Sequence, residues 1–106
     1  MDSYLKTIFW KQFGASIDML ENAIAACPGD LWDGEAKFWL TNYHTLFFLD
    51  YYLSKAPESF SPPEPFRLSE LDPSGLMPER VYNKEELLTY LNICRQKCHD
   101  FIRLKF

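Results

Sequence analysis

The stretch Phe38–Leu53, FWLTNYHTLFFLDYYL, decides the fold because it is apolar and aromatic almost throughout. At about 100° per residue, Leu40, His44 and Phe48 fall on one arc of a helix, and only a narrow stripe beside them is polar. A helix that is apolar around most of its circumference lies inside a bundle rather than on its surface. We therefore expect this to be the central helix, with the His44 imidazole facing the interior.

Length, composition and charge limit what the chain can be. It has 106 residues, of which 47% are hydrophobic and 17% aromatic, with a formal net charge of −4. These values predict one packed domain over residues 1–106. Acidic and basic residues are interspersed, so no basic stripe is available for the phosphates of a nucleic acid. No run predicts a membrane span or a signal peptide, and three cysteines suit a reducing compartment, so a soluble cytoplasmic protein is expected.

A first amphipathic helix precedes the central one. It is predicted over Asp2–Ala26, where apolar residues recur at helical spacing until Pro28 and Gly29 end the pattern. The link that follows is short, with Asp33 as the expected N-cap of the next helix, so the first two helices should be antiparallel neighbours. The expected core stripe of the first helix is Leu5, Phe9, Phe13, Ile17, Leu20 and Ile24.

A long proline-rich loop follows the central helix. Six of the seven prolines lie between Ser54 and Tyr82, and loops of this length in compact domains are usually functional or disordered. About 29 residues can cross the full length of a helix of ~30 Å, so the third helix need not run antiparallel to the second. The loop is expected to pack over the bundle through Phe60, Phe66, Leu68, Leu71, Leu76 and Met77.

A third helix is predicted from Asn83 to the end of the sequence. Asn83 and Glu86 have the spacing of a capping box. Because no cap signal follows Leu104, we expect a C-terminal truncation. The predicted core face of this helix is Leu87, Leu91, Cys94, Cys98 and Ile102, and its predicted outer face is Glu85, Asn92, Arg95, Gln96 and Arg103.

A family resemblance rests on the block FWLTNYHTLFFLDYYLS, preceded by WKQFGASIDMLENAIAACPGDLW and followed by PERVYNKEELLTYLNICRQKC. In order, and over nearly the whole chain, these segments resemble the DinB/YfiT-like superfamily of metalloenzymes. The most specific piece is W-x3-YHTLFFLDYYL. The resemblance implies a four-helix bundle of up-down-down-up order. It also implies a divalent zinc or nickel ion held by three histidines, one of them at the position of His44.

The other two histidines of that family form an H-x3-H pair on the fourth helix, which has no counterpart in this sequence. His44 is thus the one metal ligand that the resemblance carries over, in an incomplete site. Thiol S-transferases and metal-dependent hydrolases occur among the relatives, so the resemblance implies a divalent-metal-dependent enzyme of unassigned activity. The alternative is a non-catalytic helical module that forms a homodimer through the apolar face left open by the missing helix.

The residues by themselves leave further interpretations open. His44 can be a core histidine bonded to a carbonyl or a tyrosine hydroxyl. Cys94, Cys98 and His99 can be considered as a second metal site, although small buried thiols favour a packing role. No phosphate-binding loop, H-E-x2-H or G-x-S-x-G motif is present.

Asp50 is the one carboxylate placed on the inward side of the central stretch. It can serve as a base or as the hydrogen-bond partner of a metal-bound histidine. The favoured interpretation is that it accepts hydrogen bonds from a tyrosine or from a cationic loop residue such as Arg67 or Arg80.

Overall fold

The chain is all-helical in the part that the computed structural model describes, residues 3–54, 56–68 and 77–105. No described helix is both long and apolar enough to cross a membrane. A 3-10 turn at Pro57–Ser59 interrupts the proline-rich loop, and a short helix that the sequence analysis did not predict follows the first long one. The four α-helices are α1 (Ser3–Ala26), α2 (Gly29–Trp32), α3 (Phe38–Tyr52) and α4 (Lys84–Lys105).

Helices α1 and α4 are antiparallel. The Lys6 ammonium, near the start of α1, donates to the carbonyl of Arg103 at 2.7 Å. At the other end of the pair, the Lys84 ammonium donates to the carbonyl of Cys27 at 2.7 Å. The beginning of each helix therefore lies beside the end of the other.

Helices α3 and α4 run in the same direction. Near their beginnings the rings of Trp39 and Tyr82 meet edge to face, with centroids 6.0 Å apart. Further along, the Cys94 thiol lies 3.5 Å from the carbonyl of Leu46. The three long helices thus run up, down and down, as the length of the proline-rich loop allows.

The central helix is α4. It packs against both α1 and α3, whereas α1 and α3 approach each other much less closely. Two predictions are therefore wrong: the aromatic helix α3 is not the middle one, and α1 and α3 are not close neighbours, although they run antiparallel as predicted. The reason is that α4 carries a continuous stripe wide enough for two partners, and every member of it is at most 4% exposed: Leu87, Tyr90, Leu91, Cys94, Cys98 and Ile102.

The aromatic side chains of α3 are partly covered by the loop instead of by helices. Phe66 stacks between Tyr43 and Tyr90, with centroid distances of 5.4 and 4.4 Å, and Phe60 meets Phe47 edge to face at 5.5 Å. These contacts confirm that the loop packs on the bundle. The same prediction is wrong for Leu68 and Met77, which are exposed, while Leu71 and Leu76 lie outside the described residues.

Only part of the predicted stripe on α1 reaches the core. Ile17 and Ile24 are buried, but Leu5 is exposed and Phe13 is 52% exposed. Because α4 is the one helix that packs closely on α1, it covers a narrower arc of α1 than a bundle with two close neighbours would cover. An apolar face of α1 therefore remains at the surface.

The starts of α3 and α4 differ in how their backbone groups are capped. Lys37 precedes α3 in a left-handed conformation, with φ of 49° and no side-chain cap. Asp33 was the predicted cap, and this is wrong, because its carboxylate accepts from the Trp39 indole at 2.7 Å. At α4 the predicted capping box is confirmed: the Glu86 amide donates to Asn83 Oδ1 at 2.8 Å, and the Asn83 amide donates to Glu86 Oε1 at 2.9 Å.

Arg80 adds a charge to this cap. Its guanidinium donates to both carboxylate oxygens of Glu86. These hydrogen bonds lower the pKa of Glu86 to about 2. Above pH 5 the carboxylate is therefore ionised and can accept from both groups.

Removing the capping side chain tests the role of this motif. Asn83→Ala is expected to lower the free energy of unfolding by about 1 kcal/mol, because the amide of Glu86 then loses its acceptor. Urea denaturation followed by circular dichroism measures the change. Thr89→Ala, at an exposed position inside the same helix, is the matched control and should stay within about 0.5 kcal/mol of the parent chain. An equal loss in both variants would contradict a capping role.

Candidate functional site

His44 lies on the outer side of α3, and the prediction that it faces the interior is wrong. Its side chain is exposed, while the preceding Tyr43 is completely buried. One residue advances a helix by about 100°, so the burial of Tyr43 turns the next side chain away from the core. The His44 ring instead contacts Phe48 one turn later, with centroids 4.7 Å apart.

An aromatic surface surrounds this imidazole, and we define the outer aromatic surface as His44, Phe48, Tyr51 and Tyr52. The rings of Phe48 and Tyr52 are 6.0 Å apart, and those of Tyr51 and Tyr52 are 5.5 Å apart. Tyr52 is 73% exposed. Phe48 and Tyr51 are half-buried, and Tyr51 also packs against Phe60, with ring centroids 5.4 Å apart.

A metal ion held by His44 needs ligands from elsewhere. Among residues 3–54, 56–68 and 77–105, no group of three or more histidine, cysteine or carboxylate side chains could hold a metal. His99, the other histidine, lies on α4 against Trp10 of α1, with ring centroids 4.8 Å apart. The described residues alone therefore do not fit a zinc or nickel site, which typically takes three protein ligands.

The cysteines of α4 serve in packing, as the sequence analysis favoured. Cys94 and Cys98 are buried in the stripe between α1 and α3. Burial raises the pKa of the Cys94 thiol to about 12 and also raises the pKa of Cys98. Both thiols therefore remain protonated at neutral pH and are poor nucleophiles.

A buried polar cluster joins α3 to α4. Asp50 is 2% exposed, and its Oδ2 accepts a hydrogen bond from the Tyr90 hydroxyl at 2.8 Å. Its Oδ1 accepts from the Lys97 ammonium, which also donates to the Asp50 carbonyl at 3.3 Å. Burial, together with the hydrogen bond to Asp50, raises the pKa of Tyr90 far above its ordinary value. The phenol is therefore a fixed donor to the carboxylate.

The sequence predicted two kinds of donor to Asp50, a tyrosine and a cationic loop residue, and the structure agrees with the first and not with the second. The tyrosine donor to Asp50 is confirmed. The cation is Lys97, not Arg67 or Arg80, since those arginines pair with Glu64 and Glu86. Lys97 was missed because the parallel direction of α3 and α4 decides which part of α4 faces Asp50.

Within this cluster only Lys97 can contact a molecule from solution. Tyr90 and Asp50 are almost completely buried, whereas the Lys97 side chain is 35% exposed. The ammonium also lies 5.7 Å from the centre of the Phe60 ring, within cation–π range. Asp50 and Tyr90 can therefore position the lysine, and the lysine can bind an acceptor.

Known proteins give no further guide to the site. The chain matches no family model, no curated protein and no solved structure.

A double-mutant cycle on Asp50 and Lys97 tests the cluster. Lys97→Met alone is expected to lower the free energy of unfolding by about 3 kcal/mol, because it leaves a buried carboxylate without its cation. Asp50→Asn combined with Lys97→Met should recover most of that loss, since the neutral amide still accepts from Tyr90. Urea denaturation of the parent, single and double variants measures the coupling. Additive losses would show that the two side chains do not interact in solution.

Proposed function

We propose that this chain is a helical domain of the DinB/YfiT-like type and that His44 contributes one ligand to a divalent-metal site. The observation that supports the proposal is the up, down, down order of the three long helices, with a histidine on the outer side of the second. Helices joined by short loops alternate in direction, so a parallel pair joined by a long loop is a specific feature. The same order is implied by the sequence resemblance for the first three helices of the family.

The exposure of His44 agrees with a shared site. The side chain of His44 is exposed, so the other ligands of such a site must come from outside the core of the bundle. The adjoining outer aromatic surface offers a further helical segment or a second copy of the chain something to pack on. The remaining ligands of the metal come, in this proposal, from a second copy of the chain.

The chain's own contribution is then limited to binding and orientation. His44 would contribute a ring nitrogen as ligand, and its imidazole packs against the ring of Phe48. A bound zinc or nickel ion would act as a Lewis acid that lowers the pKa of a thiol or a water molecule.

Metal binding by two histidine variants tests this proposal. The parent chain is expected to bind Zn²⁺ or Ni²⁺ in calorimetric titrations, with no more than one ion per chain. His44→Ala should abolish this binding because the ligand is removed. His99→Ala is the matched control, because it removes the other histidine from a different helix, and it should leave the stoichiometry unchanged. Failure of the parent chain to bind either ion, or equal loss in both variants, would contradict the proposal.

A second candidate function, a self-associating helical module, is favoured by the surface of α1. The charged residues of α1 are Lys6, Lys11, Asp18 and Glu21, and they fall within an arc of roughly 140°. Asp18 and Glu21 both accept from Arg95 of α4, each at 3.0 Å. The arc on the other side of α1 has no charge. We define this uncharged face as Leu5, Ile8, Gln12, Phe13, Ala15, Ser16, Met19, Asn22 and Ala26.

The uncharged face has the spacing of a helix–helix interface. Ile8, Gln12, Ala15, Met19, Asn22 and Ala26 alternate at intervals of four and three, which is the heptad pattern of a coiled-coil seam. The alanines allow close approach of a second helix, and Met19 is 73% exposed. A second copy of α1 fits this face because two uncharged surfaces meet without repulsion. The chain would then act as a homodimeric interaction module.

A charge placed at the centre of the uncharged face tests this candidate. The parent chain is expected to show a concentration-dependent dimer in light scattering coupled to gel filtration. Met19→Glu should shift it to monomer, because two copies would bury like charges at the interface. Gln96→Glu, which adds the same charge to the exposed face of α4, is the control and should dimerise like the parent. A monomeric parent chain would rule out this candidate.

A further inference from the structure

An open cavity of about 720 Å³ lies between the end of α3, the segment 56–61 and the last turns of α4. Sites for small molecules typically measure roughly 300–1,000 Å³. One part of its wall is apolar and consists of Leu53, Phe60, Phe101 and Leu104. The cavity is therefore large enough, and apolar enough, to hold a small organic molecule.

The polar part of the wall includes Lys97, which is held in place by Asp50. An ammonium has three N–H donors. Two of them have acceptors, the carboxylate and the carbonyl of Asp50. The described residues supply no acceptor for the third. Because the side chain is 35% exposed and lines the cavity, this donor is available to a bound molecule.

Arg103 provides further donors at the rim of the cavity. Among the described residues it forms an ion pair with the carboxylate of Asp100, which also lines the cavity, at 3.8 Å, too long for a hydrogen bond. Asp100 Oδ1 accepts instead from the Gln96 side chain at 3.1 Å. The guanidinium is 62% exposed, and the described residues offer its N–H groups no hydrogen-bond acceptor. The cavity therefore presents unmatched cationic donors.

Two of the three described serines that line the cavity donate their hydroxyl protons to carbonyl groups of the protein. Ser54 donates to the carbonyl of Asp50, and Ser59 donates to the carbonyl of Ala56, each at 3.2 Å. Their protons are thus used within the protein, and their oxygen lone pairs are left as acceptors. Among the described residues that line the cavity, the charged donors are Lys97 and Arg103.

We propose that this cavity binds a small organic carboxylate with an apolar body. The carboxylate accepts hydrogen bonds from Lys97 and Arg103, and the apolar body packs against Phe60 and Leu53. Asp50 acts as the positioning residue, because it fixes the ammonium at the wall of the cavity. His44 is not among the residues that line this cavity, and the proposal does not depend on a metal.

Comparing the affinities for a carboxylate and for its neutral amide distinguishes a carboxylate site from a cleft that binds apolar molecules without regard to charge. The probes are naphthalene-2-carboxylate and naphthalene-2-carboxamide, titrated into the full chain and followed by calorimetry and by backbone amide shifts. We expect the carboxylate to bind about tenfold more tightly, as charge-assisted hydrogen bonds allow. Its advantage should shrink as salt is raised from low to high ionic strength.

Variants identify the donors. Arg103→Gln, at an exposed position, should remove most of the preference for the carboxylate and leave amide binding unchanged. Asp50→Asn combined with Lys97→Met should do the same, and this double variant avoids the buried unpaired carboxylate that Lys97→Met alone would leave. Arg67→Gln removes an arginine remote from the cavity and should bind both probes like the parent.

The proposal is overturned by equal affinity for the two probes or by undetectable binding of the carboxylate. It is also overturned if the preference survives in both cavity variants, or if the shifted amides lie outside the segments that form the cavity. A loss of preference in Arg67→Gln would show that the effect is one of net charge. None of these outcomes depends on the metal titration of His44.

Discussion

The salt bridge between Asp50 and Lys97 is the constraint on which the arrangement of α3 depends. Apolar packing would tolerate α3 at several positions along the α4 stripe, because aromatic side chains adapt to one another. The Asp50 carboxylate, which is 2% exposed, has both of its partners at only one of these positions, where it accepts from the Tyr90 hydroxyl and the Lys97 ammonium. This polar contact therefore adds a directional constraint to the apolar contacts between the two helices. Buried polar pairs have this registering role in other helical assemblies.

Much of the local structure could be predicted from the sequence. The three long helices, the capping box at Asn83 and the buried face of α4 all follow from spacing within one segment. The packing of Phe60 and Phe66 could also be predicted from the loop sequence, because burial of a large aromatic side chain is favourable. These features depend on neighbours that are close along the chain.

The relative placement of the helices could not be predicted in the same way. The apolar stretch 38–53 fits a central helix, yet α4 occupies the centre, because its stripe serves two partners. For the same reason, the His44 side chain lies on the outside of the bundle and not on the inside, as the sequence predicted. Lys97 was likewise missed as the partner of Asp50. A side chain on an all-round apolar helix faces the core or the solvent according to which other elements pack on it, and periodicity does not contain that information.

The position of α4 has a consequence for the order of events as the protein is made. Lys6 bonds to the carbonyl of a residue 97 positions later, and both α1 and α3 have their principal partner in α4, which is synthesised after both of them. Until α4 is synthesised, the nascent chain carries two helical segments whose apolar faces are not covered. Native contacts at such sequence separation form slowly, and exposed apolar surface invites aggregation in the interval. A chaperone that shields α1 during translation would therefore raise the yield of folded protein.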